Sequence, residues 1–142
     1  MNPIQIVIDT NVLVAAYRSR YGAAFQLLSQ LHDTRIEVNV SSALLFAYEA
    51  KLKEQLSSDG ITELWKADKF LDALAEMANR RKIYFSFRSE EFHADDAFIV
   101  DLAIASGAPF VITYNIRHFM GLKRYGKMPI TPGDFLRWLE MV

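Results

Sequence analysis

The sequence predicts an α/β fold, a three-layer α/β/α sandwich around a central parallel sheet. Three observations predict it. Residues 4–8 (IQIVI) make a short, nearly continuous apolar run rich in β-branched side chains, as a strand buried on both faces does. Residues 110–113 (FVIT) repeat that pattern late in the chain. Between and after them, strand-like runs alternate with stretches of helical periodicity, the succession that builds a parallel sheet. At 142 residues, 51% hydrophobic and 13% aromatic, the chain is expected to be one domain with a substantial core.

The first run ends abruptly in Asp9-Thr10-Asn11, polar residues that start a turn and cap a helix. Residues 12–17 (VLVAAY) then read as a short helix, interrupted by RSRYG, and residues 23–31 as a second. Ile36, Val38 and Val40 alternate with polar residues, predicting a strand. Ser41-Ser42 supplies the N-cap of a helix over 43–56, whose Leu44, Leu45, Ala47, Tyr48 and Leu52 cover one broad face. Glu49 borders that face. Residues 61–79 read as a long helical stretch, and 82–87 (KIYFSF), after the basic run Arg80-Arg81-Lys82, as a third strand. A further helix begins at Ala94-Asp95-Asp96, with Asp95 as its N-cap, buries Phe98, Ile99, Leu102, Ala103 and Ile104, and ends at Gly107. After the strand at 110–113, a last strand at 128–131 leads into a helix over 132–141, with Pro132 in its first turn.

Composition removes whole classes of chemistry. With no cysteine there are no disulfides, thiolate metal sites or cysteine nucleophiles. A net charge of −1 gives no global field for nucleic acid, so any such contact must come from a local patch. The N-terminal residues lack a signal-peptide pattern, and no apolar run approaches the roughly 18 residues of a membrane span. A soluble, cytoplasmic protein with no membrane partner is the expectation. His32, His93 and His118 are scattered, which argues against a histidine metal site. His118 is read as solvated surface, and Trp65 and Trp138 as core or dimer contacts.

Four polar groups fall at element ends or edges: Asp9 and Asn115 after buried strands, Asp96 at a helix start, and Glu49 on a helix. Ligands of open α/β sheets bind at the carboxyl ends of the strands. If the three carboxylates converge there, they repel and raise one another's pKa values unless a cation lies between them. Hard oxygen ligands without cysteine or clustered histidine point to Mg2+ or Mn2+, a site suited to water activation and phosphoryl chemistry.

The stretches IDTNVLVAA, SSALLFAYEAKL, ADDAFIVDLAIASGAPFVITYNIRHF and MPITPGDFL resemble, in order and over nearly the whole chain, the PIN domain. More narrowly they are similar to the bacterial VapC-like ribonucleases, toxins of type II toxin–antitoxin modules. The resemblance implies a Rossmann-like fold and a metal-dependent endoribonuclease that hydrolyses RNA phosphodiesters with a Mg-activated water. By resemblance Asp9, Glu49 and Asp96 hold the Mg2+ or Mn2+ and, with Asn115, form the catalytic set. Thr10, Asn11, Thr113 and Asp95 support them. Many PIN domains carry an aspartate where this chain has Asn115, and the amide adds no negative charge. Arg18, Arg20, Lys51, Arg117, Lys123 and Arg124 are candidate phosphate contacts, with Lys51 and Arg117 placed as substrate-binding. A small antitoxin partner and a homodimer are further implications.

Two rivals remain at this stage. An aspartyl-nucleophile hydrolase would also put Asp9 after the first strand, but needs a second aspartate where Asn11 stands. No dinucleotide or P-loop glycine pattern follows Ile8. The stronger rival is a catalytically weakened PIN domain serving as an RNA- or protein-binding module, kept open by Asn115.

Overall fold

The computed structural model describes residues 2–84, 86 and 91–142. Five strands form one sheet in the order β3-β2-β1-β4-β5, and every pairing is parallel. They are β1 (Ile4–Ile8), β2 (Ile36–Val40), β3 (Asn79–Arg80), β4 (Phe110–Ile112) and β5 (Met128–Ile130). Six α-helices connect and follow them: α1 (Thr10–Arg18), α2 (Ala23–Ser29), α3 (Ser42–Ser58), α4 (Trp65–Met77), α5 (Ala97–Ser106) and α6 (Pro132–Glu140).

β1 is central because its side chains suit no other place. Ile6, Val7 and Ile8 are each fully buried, and successive strand residues point to opposite faces, so helices cover the sheet on both sides. Burying each such side chain stabilises the fold by roughly 1.5–3 kcal/mol before chain entropy is counted. α3 and α4 pack on one another, α2 packs on α6, and α5 lies against β1 and β2. Phe110, Phe135 and Trp138 form an aromatic cluster beneath α6, with ring centroids 4.7 Å apart for Phe110–Trp138. Trp138 is therefore core, whereas Trp65 is half exposed and carries Lys69 Nζ 5.3 Å from its ring.

Caps fix the helix starts as the residue types dictate. Ser41 Oγ accepts from the Leu44 N–H at 3.1 Å, and Thr131 Oγ1 from the Asp134 N–H at 3.2 Å. α5 ends at Gly107, whose φ of +69° suits a residue without Cβ.

The structure departs from the sequence expectation in four places, one of them Phe98, which is half exposed rather than buried. The strand expected at 82–87 forms earlier, at Asn79–Arg80, and residues 82–84 lie outside any strand. β2 stops at Val40 because Ser41 turns away to cap α3, which leaves residues beyond Arg81 no ladder to join. Phe85 and Phe87, also in that expectation, lie outside the described residues. The helical stretch expected over 61–79 starts only at Trp65. Residues 116–125, given no element by the sequence, coil as 3-10 helix (Ile116–Tyr125).

Candidate active site at the carboxyl edge of the sheet

One register step past the ladders, the chain sets Arg81, Ser41, Asp9, Thr113 and Thr131 in a row along the carboxyl edge. Backbone bonds hold the row: the Asp9 N–H donates to the Ile112 carbonyl at 2.9 Å and the Thr113 N–H to the Ile130 carbonyl at 2.9 Å. Asp9 is only 7% exposed. Its Oδ1 accepts from the Thr10 N–H at 2.7 Å and its Oδ2 from the Thr113 hydroxyl at 2.7 Å. The same hydroxyl accepts from the Asn115 N–H at 2.9 Å, and Asn11 Oδ1 accepts from the Tyr114 N–H at 3.4 Å. Thr10 and Thr113 therefore hold Asp9 directly through neutral donors, Asn115 reaches it through Thr113, and Asn11 ties the start of α1 to Tyr114.

Burial pushes the Asp9 carboxyl above its ordinary pKa. The bonds from Thr113 and Thr10 oppose that rise, the Asp96 charge adds to it, and His118 opposes it. Beneath the site the fully buried Tyr48 hydroxyl donates to the Ile8 carbonyl, and burial keeps its phenol well above the usual range. This bond fixes α3 against the last residue of β1.

Above Asp9 opens a cleft of ≈ 480 Å³. The start of α1 lines it with Thr10, Asn11 and Val14. Asp95 and Asp96 line it from a short 3-10 turn (Ala94–Asp96), and Asn115 and His118 from the other side. Asp96 is the residue from which α5 departs, and no side-chain cap forms at either Asp95 or Asp96, so the capping role expected of Asp95 is not taken. α3 contributes Lys51, Glu54, Gln55 and Ser58.

Glu49, expected among the cation-holding acids, stands elsewhere. Its Oε1 pairs with Lys53 Nζ at 2.8 Å, and it lines a separate groove between α3 and α4 with Asp68 and Asp72. Helix geometry explains the displacement: at 3.6 residues per turn, Glu49 and Lys51 project about 200° apart. The buried stripe of Leu44, Tyr48, Leu52 and Leu56 runs between them, so the two flanks of α3 face different neighbours. Ala47, one turn before Lys51, holds the cleft-side position.

Of the cations proposed to touch substrate, Lys51 lines the cleft, with Nζ 3.6 Å from Glu54 Oε2. Arg117 is exposed at the start of the 3-10 stretch and outside the cleft lining. Arg124 pairs with Glu91 at 3.0 Å. His118 is no idle surface residue. Its Nδ1 lies 3.2 Å from Asp96 Oδ2, and its ring stacks on His93 with centroids 4.9 Å apart. Gly121 lets Glu91 and Phe92 approach the 3-10 stretch, since a Cβ there would stand 2.8 Å from Glu91 Oε2 and 3.1 Å from the Phe92 ring. Glu54, Gln55 and Ser58 were invisible as site residues in the sequence, and His118, close enough after Asn115 to touch substrate, was read as solvated surface. The only signal was a polar stripe at helical spacing through 51, 54, 55 and 58, which reads equally well as solvated surface.

Asp9, Asp96, Asp95, Glu54 and Asn115 offer the oxygen donors that a hard divalent cation takes. Among the described residues no three Asp, Glu or His side chains are already gathered into a ligand set. A cation of the Mg2+ kind binds through one or two carboxylates and keeps water or substrate phosphate on its remaining positions.

A family model described as PIN domain matches residues 5–117. The chain belongs to the PIN-domain family. The match spans Asp9, Asp96, Thr113 and Asn115, and so the whole carboxyl edge of β1 and β4. The PIN fold is also that of two solved structures. VapBC2 from Rickettsia felis, bound to a DNA fragment from its promoter, is 18% identical, covers 90% of this chain and 98% of its own, and superposes with a TM-score of 0.58. VapBC-1 from nontypeable Haemophilus influenzae is 14% identical, covers 92% and 99%, and gives a TM-score of 0.56. No curated protein matches the sequence. Among the described residues no helix is long and apolar enough to cross a membrane.

Proposed function

We propose that this PIN domain is a metal-dependent endoribonuclease, the toxin of a toxin–antitoxin pair. The observation that carries the reading is Asp9: buried, held by neutral donors, and sharing one cleft with Asp96. A Mg2+ or Mn2+ between these two carboxylates would supply a Lewis acid for a phosphoryl oxygen and a lowered pKa for attacking water. The chain's own residues do the rest. Thr113 and the Thr10 N–H fix the Asp9 carboxylate in one rotamer, and His118 steadies that of Asp96. Asn115 orients water through its amide, while Lys51 attracts a substrate phosphate to the cleft mouth. Glu54 replaces Glu49 as the α3 carboxylate nearest the chemistry. The reading further takes the chain to be one domain, cytoplasmic and homodimeric. The VapBC likeness of the fold supports a small antitoxin as partner.

The test is Mg2+- or Mn2+-dependent cleavage of RNA by the wild type beside Asp9→Asn and Asp96→Asn. Cleavage lost in both folded variants is the expected result, and unchanged cleavage in both defeats the site. One observation favours a second reading, a weakened PIN domain that binds without cutting. Asn115 adds no charge, Glu49 lies outside the cleft, and Lys51 and His118 stand among the carboxylates of Asp9, Glu54, Asp95 and Asp96. Metal-independent RNA binding with no cleavage under any divalent cation would establish it.

A further inference from the structure

The cleft occupies only the middle of the carboxyl edge. Two strands away, on the same row as Asp9, the chain leaves β3 through Arg80, Arg81 and Lys82, a basic cluster that the candidate site does not use. Parallel strands stand about 4.8 Å apart, so Arg81 is roughly 10 Å from Asp9 along the edge. Adjoining grooves of ≈ 550 Å³ and ≈ 670 Å³ are both lined by these three cations and by Tyr84.

The cations are set in place rather than left loose. Arg81 Nε donates to Asn39 Oδ1 at 3.0 Å, and Asn39 is fully buried with its amide nitrogen donating to Gln5 Oε1 at 2.8 Å. Arg80 Nη2 donates to Ser42 Oγ at 3.1 Å, at the amino end of α3, whose dipole adds positive potential there. Among the described residues no carboxylate forms an ion pair with Arg80, Arg81 or Lys82. Asp101, on the wall of the first groove, accepts from Ser86 Oγ at 3.0 Å. Beside the cations Tyr84 stands 86% exposed, an aromatic face in open solvent. Three cations that have no carboxylate ion pair among the described residues, next to an exposed ring, match the two halves of single-strand recognition, phosphate attraction and base stacking.

We propose that Arg80, Arg81, Lys82 and Tyr84 form a binding site for single-stranded RNA that extends the candidate active cleft along the carboxyl edge. The strand lies across β3 and β2 with a base stacked on Tyr84, and reaches Asp9 a few nucleotides on. This rests on the RNA reading above.

The test measures the affinity of a labelled single-stranded oligouridine by fluorescence anisotropy, in EDTA and across a salt series. With Arg80→Ala/Lys82→Ala, binding weakens and the slope of log affinity against log salt becomes shallower by about 1.4, two contacts at roughly 0.7 each. Tyr84→Ala weakens binding about tenfold, and Tyr84→Phe restores it because stacking needs only the ring. Tyr84 is exposed, so its variants carry no folding penalty that would mimic the loss. Unchanged affinity and slope in both sets overturn the proposal. So does a double variant that loses an acidic peptide, polyglutamate, while keeping its RNA affinity, since the groove then serves a protein. The two readings fail separately. RNA binding lost with these residues, in a protein that never cleaves, upholds the groove and sinks the nuclease. Cleavage intact with affinity unchanged does the reverse.

Discussion

Two carboxylates on either side of helix α3 meet opposite fates. Glu49, half-buried between α3 and α4, is answered by Lys53 at 2.8 Å, and Lys53 also reaches Asp68 at 3.0 Å. Those bonds, first to Glu49 and then to Asp68, raise the Lys53 pKa above its ordinary value. Asp9 is more deeply buried, yet its hydrogen bonds come from a backbone N–H and a threonine hydroxyl, and its own pKa rises. A carboxylate balanced by lysine has its charge satisfied within the fold. One held by neutral donors and still desolvated has no opposite charge bonded to it within the fold, the condition that a bound cation would relieve.

The sharpest way to break this contrast is to remove each charge in turn. Asp9→Asn should slow RNA cleavage by more than about 100-fold, beyond what loss of an outer-shell partner costs. Glu49→Gln should leave the rate unchanged. A large loss in Glu49→Gln alone would reverse the comparison. Ala47→Glu sharpens it from the other side by placing a carboxylate on the cleft flank. Calorimetry should show tighter Mg2+ binding in that variant, and weaker or equal binding would mean that the flank does not reach the cation.

Stability separates the regions next. Tyr48→Phe strips the Ile8 carbonyl of its buried donor, at a cost of about 1–3 kcal/mol. A fall in Tm of roughly 2–4 °C per kcal/mol should follow, read by thermal melts. In pH, Asp9 and Asp33 should act with opposite sign. Hydrogen bonds from Arg35 hold Asp33 down to about 2, so its stabilisation is present above the usual value of 3.8 and is lost as pH falls toward 2. Asp9 is raised, so it binds its proton more tightly folded than unfolded. Stability of the metal-free protein should therefore fall as pH rises from 3.8 through the folded pKa. The Tm difference between wild type and Asp9→Asn, followed across pH, isolates that contribution, and a difference growing in the wild type's favour at higher pH would contradict it. The smallest effect belongs to the Glu49–Lys53 pair. Glu49→Gln should lower Tm slightly, and added salt should erase the change.

Much of this architecture was legible because it depends on local rules. Ile6–Ile8 and Phe110–Ile112 announce strands buried on both faces, and Asp9, Thr113 and Asn115 follow them by sequence alone. Ser41, Pro132 and Gly107 mark helix ends through capping chemistry. What stayed hidden depends on partners distant in the chain. Periodicity gave the buried stripe of α3, but a stripe has two flanks, and only packing against α1 and α4 decides which one meets the cleft. Glu49 borders the apolar face as well as Lys51 does, so composition alone favoured the acid. The contact between His118 and Asp96 joins residues 22 positions apart with no shared motif. β3 was misplaced because two residues of pairing leave almost no compositional trace, whereas the apolar KIYFSF beside it does.

The parallel sheet has a consequence for how the molecule comes into being. β1 is made first, yet the neighbour that completes its far side is β4, and the bond between Thr113 and Asp9 spans 104 positions. Among the described residues no hairpin forms any part of this sheet, so every strand pairing must wait for a long loop to close. A chain still being synthesised therefore carries Asp9 without Thr113, Asn115 or Asp96. The acidic cleft is complete only once residues 95–118 have been made and β4 has paired with β1.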